Sequence, residues 1–150
     1  MAKQIKLTIK EKIDHLLEEI RIVLPGTQAL LGFQLVAVFS DGFKTLSAEV
    51  KILHLISLIL ITLTTILLMS VSAYDRIVDQ DHDTEHFHTF ASTMVLLALM
   101  LLGIGLAGDI YVASLIITAS HNLSLIIASS ILLFAYFLWF GVTLLKKYFR

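Results

Sequence analysis

The chain has 150 residues, 57% hydrophobic and 15% charged, with a mean hydropathy of +0.89 and a formal net charge of −1. Soluble domains run nearer half apolar and a quarter charged, and here the apolar excess falls in long uninterrupted runs, which excludes a soluble globular domain. The near-zero charge leaves no nucleic-acid footprint, and the absence of cysteine excludes a disulfide framework, a thiolate nucleophile or a zinc–thiolate site.

The chain opens on an amphipathic helix over about residues 5–20. Ile9, Ile13, Leu16, Leu17, Ile20 and Leu24 form one stripe at helical spacing, with Lys10, Asp14, Glu18 and Arg21 largely off it. Such a segment fits the interfacial plane of a bilayer or a packed extension of the span that follows, and Pro25 predicts a kink between the two. The first 20 residues lack the apolar core of a secretory signal, so insertion through the chain's own helices is expected.

Four spans follow, over about 22–40, 52–74, 90–118 and 123–145. A bilayer core takes roughly 20 apolar residues of helix. Ile52 to Tyr74 carries no Asp, Glu, Lys or Arg, Leu123 to Leu145 carries no charge at all, and Phe90 to Ser120 is interrupted only by Asp109. The first span is dotted with Pro25, Gly26, Gln28, Gly32 and Gln34, yet no charge lies between Arg21 and Asp41. The expected fold class is therefore all-α: a single polytopic membrane domain of four transmembrane helices behind an amphipathic helix. Lys3, Lys6, Lys10, Lys12, Arg21, Arg76, Lys146, Lys147 and Arg150 fall on one side of this topology and only Lys44 and Lys51 on the other, which predicts cytoplasmic termini.

Glu19-Ile-Arg-Ile-Val-Leu-Pro-Gly-Thr-Gln-Ala-Leu-Leu-Gly-Phe33 resembles the opening signature of an uncharacterised bacterial inner-membrane family of small four-helix proteins, and Ser72-Ala-Tyr-Asp-Arg-Ile77 resembles its second signature. At the second, the family often has His where this chain has Asp75. The resemblance covers the organisation of about residues 10–120. It implies the four-helix fold and the bacterial inner membrane, and no established reaction; the sodium–proton antiporter label of some members has no recognisable ion site in this sequence.

The residues that could carry chemistry are few. Gln28 and Gln34 lie in the first span about 600° of helix rotation apart, on different faces, and each amide needs a partner in a medium that supplies none. Helix–helix hydrogen bonding and the lining of a polar pathway both fit. The second span carries a polar stripe of His54, Ser57, Ile61, Thr65, Leu68 and Ser72, with Thr64 beside it. Asp109 is a surface acid if its helix enters near Phe90, about 29 Å away, and a mid-bilayer acid if the buried part runs from Leu97 to Thr118. Gly103, Gly105 and Gly108, just before it, fit a bend, a close helix contact or a broken helix. Asp41, Glu49, His54, Asp109 and His121 share the expected outer side, where a titratable vestibule would form.

The inner loop from Asp75 to His88 holds five acids and three histidines. Its Asp79, Asp81 and Asp83 start like a calcium-binding loop, but Thr84 and Phe90 stand where such a loop needs Gly and Glu. His82 and His86 could share a metal with Glu85 and His88; the alternative is a solvated helix start capped by Thr84 or Asp83. An Arg21–Asp75 ion pair is expected to tie the first two spans. No phosphate loop, nucleophile elbow or paired catalytic carboxylates occur, so no enzyme activity is expected, and no cofactor beyond a metal at the inner loop. Two functions remain open: an ion or small-solute pathway, which four short helices provide only as a homo-oligomer, and a non-catalytic accessory, assembly or regulatory subunit bound to another membrane protein. The pathway candidates are Gln28, Gln34, His54, Ser57, Thr65 and Asp109. Besides the lipid bilayer, the expected partner is a second copy or another membrane protein, and no nucleic acid.

Overall fold

The computed structural model describes residues 7–78 and 84–148, so the expectations resting on Asp79, Asp81, His82 and Asp83 lie outside the described residues. The described residues form α1 (Ile9–Ala37), α2 (Asp41–Lys44), α3 (Ala48–Ile77), α4 (Glu85–Thr118), α5 (His121–Tyr136), a π-helical turn (Phe137–Gly141) and α6 (Val142–Tyr148), with no strand among them. Four continuous stretches, Ile9–Ala37, Ala48–Ile77, Glu85–Thr118 and His121–Tyr148, are long and apolar enough to cross a membrane. At 1.5 Å per residue the 30 residues of α3 reach about 45 Å, well beyond a hydrocarbon core of about 30 Å. The chain is a multi-pass helical membrane protein.

The amphipathic stretch and the first span are one helix. Thr8 and Glu11 close a capping box, the Glu11 carboxylate accepting from the Thr8 backbone N–H at 2.7 Å, and α1 then runs through Pro25 to Ala37. The apolar stripe does not lie on a membrane surface. Ile13 and Ile20 are buried with Leu68, Val71, Phe87, Ala91, Val95 and Ala98 in the principal core, so the N-terminal half of α1 is a packed extension of the bundle. Pro25 lies on the exposed side. The bond its missing N–H forfeits is therefore lost away from the core, and the helix continues.

Neighbouring helices run antiparallel. Gln34 meets His54 and Thr27 meets Thr65, while Ile20 and Leu68 share the core below. One end of the bundle thus holds the end of α1, the short α2, the start of α3 and the α4–α5 turn. That turn is tight: Ala119 stops α4 in the left-handed region (φ 52°), and Ser120 caps α5.

The three glycines of α4 serve close contact. The helix is continuous from Glu85 to Thr118, so no break occurs. A Cβ at Gly103 would overlap the Tyr136 ring, one at Gly105 the end of Ile61, and one at Gly108 the Ser57 hydroxyl. Missing side chains here let α3 and α5 approach α4, and Tyr136 exploits this by donating its O–H to the Met100 carbonyl at 2.5 Å. Gly26 and Gly32 differ: nothing lies within 4 Å of a Cβ added at either, so within the chain they bring no backbone close.

Candidate functional site

Three of the sequence candidates converge. Gln34 stands three residues before the end of α1, His54 six residues into α3, and Asp109 nine residues before the end of α4. These offsets set all three at one level, roughly 5–14 Å inside the same end of the bundle. The Gln34 amide donates Nε2–H to Asp109 Oδ2 at 2.5 Å. His54 Nε2 lies 3.1 Å from the Gln34 main-chain carbonyl, and His54 Nδ1 lies 3.5 Å from Asp109 Oδ1. The side chains of His54 and Asp109 are 6% and 21% exposed, so His54 is buried and Asp109 part-buried between helices.

Helix-end chemistry explains half of this arrangement. The last four carbonyls of a helix have no intrahelical partner. That of Gln34 is one of them, and the Val38 N–H that would reach it is directed to Val36 instead. His54 fills the gap. A carbonyl only accepts, so His54 must donate through Nε2–H, which fixes the tautomer whenever the ring is neutral. Its other nitrogen is then a bare acceptor aimed at a carboxylate.

Among the described residues, three buried atoms are left without a hydrogen-bond partner: Gln34 Oε1, His54 Nδ1 and Asp109 Oδ1. Orphaned buried polar atoms are uncommon, and three within one cluster of acceptors mark a place where positive charge or a proton would be stabilised. Beside them lies a cavity of about 230 Å³, lined from α1 by Leu30, Phe33, Gln34 and Ala37, from α4 by Asp109, Val112, Ala113 and Ile116, and by Phe43 and His54. Phe43, carried on α2, meets the His54 ring edge-on with centroids 5.0 Å apart and closes the outer end.

Below the site the polar groups thin out. Ser57 packs on Gly108 and turns its hydroxyl to the Leu53 carbonyl at 3.2 Å. Ile61 is fully buried. Thr65 donates to the Thr27 hydroxyl at 3.1 Å, and Thr64 reaches the Ala98 carbonyl at 3.3 Å. Leu68, Val71, Phe87 and Ala91 then form an apolar plug. The cavity beside the site lies between α1 and α4, and the core below it is apolar.

The remaining candidates separate from this cluster. Gln28 is exposed on the outer face of α1. The stripe of α3 is buried from His54 to Val71, but Ser72 has turned outward. Of the expected vestibule, only His54 and Asp109 come together. Asp41 pairs with Lys44 at 2.8 Å, Glu49 is exposed, and His121 Nδ1 meets the Tyr111 hydroxyl at 2.8 Å. The Arg21–Asp75 pair does not form: the ion pairs among the described residues are His15–Glu18, Asp41–Lys44 and His54–Asp109. Ile20 is buried, so Arg21, about 100° further round the helix, points outward. At the inner loop Thr84 caps α4, accepting from the Phe87 N–H at 3.1 Å. Glu85 and His86 are exposed, His88 is half-buried, and no group of three metal-ligating side chains occurs among the described residues. His82 lies outside them.

Phe43, Thr27 and Tyr111 belong to the site or its surroundings and were not singled out by the sequence. Phe43 carries no polar signal, and Thr27 is marked only by its helical spacing from Gln34.

A model of the family of unknown function (DUF6328) matches residues 8–143, which takes in the whole site, the first three long helices and most of the fourth. The chain belongs to this family. No curated protein and no solved structure matches it. The DUF6328 family assigns no chemistry, so function rests on the site.

Proposed function

We propose that this DUF6328 protein is a bacterial inner-membrane protein with cytoplasmic termini that binds and passes an ion through the Gln34–His54–Asp109 site, working as a homo-oligomer. The observation that carries the reading is the part-buried Asp109 carboxylate with orphaned acceptors at and around it. An intramembrane acid is expensive and is retained mostly on ion pathways, and this one has a cavity beside it. Ser57 and Thr65 extend the pathway as hydroxyl steps. The outward-facing Gln28 supports the oligomeric part, because a lone amide in lipid gains by bonding a partner helix. The apolar plug of Leu68, Val71 and Phe87 means that passage requires either movement of the bundle or a route completed by a neighbouring copy.

A hydrophobic carbodiimide tests the site. Such reagents enter the bilayer and modify carboxyl groups held there. The expected result is one adduct at Asp109, with loss of ion flux from reconstituted vesicles in proportion to labelling. Full labelling with flux unchanged would overturn the assignment.

A further inference from the structure

We infer that the occupant of this site is a single proton, shared between His54 Nδ1 and Asp109 Oδ1, and not a metal cation. The inference rests on the ion-pathway reading of the same site and names its cargo.

The argument begins with the tautomer. His54 gives its Nε2–H to the Gln34 carbonyl at 3.1 Å, so the Nδ1 of the neutral ring carries a lone pair. That lone pair faces Asp109 Oδ1 at 3.5 Å. Two bare acceptors in contact repel, and both are buried without another partner. One proton removes the conflict, whether it resides on the ring as imidazolium beside carboxylate or on the carboxyl beside neutral imidazole. In either form the pair is electrically neutral. Without the proton it carries one negative charge, relieved only by the Gln34 N–H on Oδ2. A second proton would have to go to the remaining acceptors and would leave the buried pair positive. The site therefore holds one proton, taken from water as H⁺ and returned as H⁺, with no other bond made or broken.

The donor set disfavours a metal ion. A hard cation exchanges its water shell for a cage of oxygens, six or more for the common divalent ions. The cluster offers three orphaned acceptors, one of them a nitrogen, and the rest of the cavity wall is Leu30, Phe33, Ala37, Phe43, Val112, Ala113 and Ile116. A proton needs two acceptors, and two face each other.

Among the described residues no other charge competes. On α1 nothing ionisable follows Arg21. Against α2 and the start of α3, Asp41 is paired with Lys44, Lys51 is bound to the Lys44 carbonyl, and Glu49 is exposed. On α4 the next titratable group, Tyr111, is turned to His121. Gln34 adapts to either state: its N–H bonds a carboxylate, and a rotated amide presents Oε1 to a carboxylic O–H.

The test is an NMR titration of the full chain in detergent micelles, with ¹⁵N-labelled histidine and ¹³C-carboxyl-labelled aspartate, the His54 and Asp109 signals identified by their loss in His54→Gln and Asp109→Asn. The expected result is a ring that keeps its Nε2 proton throughout and whose Nδ1 titrates in step with the Asp109 carboxyl carbon. Raising sodium ~100-fold should leave the midpoint unmoved, whereas a competing sodium site would shift it by up to about two pH units. Such a shift overturns the inference, as does titration of His54 independently of Asp109. If His54→Gln fails to fold, substitution of the other five histidines leaves His54 as the only labelled ring, and the sodium arm is read on it. A coupled titration with no ion flux in vesicles would sink the transport reading and leave the proton pair. Flux of a metal cation with no coupled titration would do the reverse.

Discussion

Gly108 packs directly on the hydroxyl of Ser57, and that contact sets how closely α3 and α4 approach where His54 faces Asp109. Ser57 lies one turn from His54, and Gly108 is the neighbour of Asp109. The polar pair is thus spaced by a steric contact that neither of its members makes.

Replacement of Gly108 by Ala should push the two helices apart. A Cβ there meets both the Oγ and the Cβ of Ser57, so rotating the hydroxyl does not clear it. The expected loss is about 1–3 kcal/mol of stability, as for other overpacked contacts. Ser57→Gly should recover part of it, and the two changes should be clearly non-additive in a double-mutant cycle read by unfolding in micelles. Additive effects would show that the contact does not set the spacing.

Gly26→Ala and Gly32→Ala should behave oppositely. Both positions are open in the protomer, and alanine favours helix by up to about 1 kcal/mol over glycine. Protomer stability should rise slightly or stay level. If a second copy covers this face, as the homo-oligomer reading holds, the same changes should weaken association. Gln28→Leu should do so too, by removing an inter-copy hydrogen bond of about 1 kcal/mol. Subunit counting by photobleaching in liposomes separates the two effects; unchanged stoichiometry with all three variants would count against assembly through α1.

The Thr27–Thr65 bond gives a second, independent tie between α1 and α3. Thr65→Val keeps the shape and removes the hydroxyl, and should cost about 0.6–1.7 kcal/mol, the range of interhelical hydrogen bonds in membranes. The site's protonation should be untouched, because Thr65 lies below Ile61 and shares no partner with His54. A shifted His54 titration in this variant would show that the polar steps are coupled.

Phe43→Ala should open the site. Phe43 is buried on His54 from a helix of four residues, so its loss removes the lid without removing a span. The Nε2 and Nδ1 protons of His54 should exchange with solvent faster, while the Gln34–Asp109 bond persists. Unchanged exchange would mean that access runs between Phe33 and Ile116 instead.

The sequence made the spans legible because bilayer thickness demands them: about twenty apolar residues recur four times with short connections. The continuity of α1 was hidden by Pro25, which forfeits one backbone hydrogen bond yet does not end the helix. Gln34, His54 and Asp109 each stood out singly, as polar groups in apolar runs, but their meeting did not. Helical periodicity tells which residues share a face and says little about which helix that face meets. A signal was nonetheless available: Gln34 and His54 lie at similar distances from the middle of a short connection, which places them opposite each other in an antiparallel pair. The Arg21–Asp75 expectation failed on the same ground, since matching heights do not make matching faces.

The central claim is that Asp109 carries the ion. Its most direct test is the initial rate of gradient-driven proton flux per protein in reconstituted vesicles, wild type against Asp109→Asn. Asparagine keeps the volume and can still accept from Gln34, so the bundle should survive while the titratable carboxyl is gone. The account predicts a rate at least about 100-fold lower, the low end of the loss expected when a positioned proton-transfer group is removed. Equal rates from equally folded protein would contradict it.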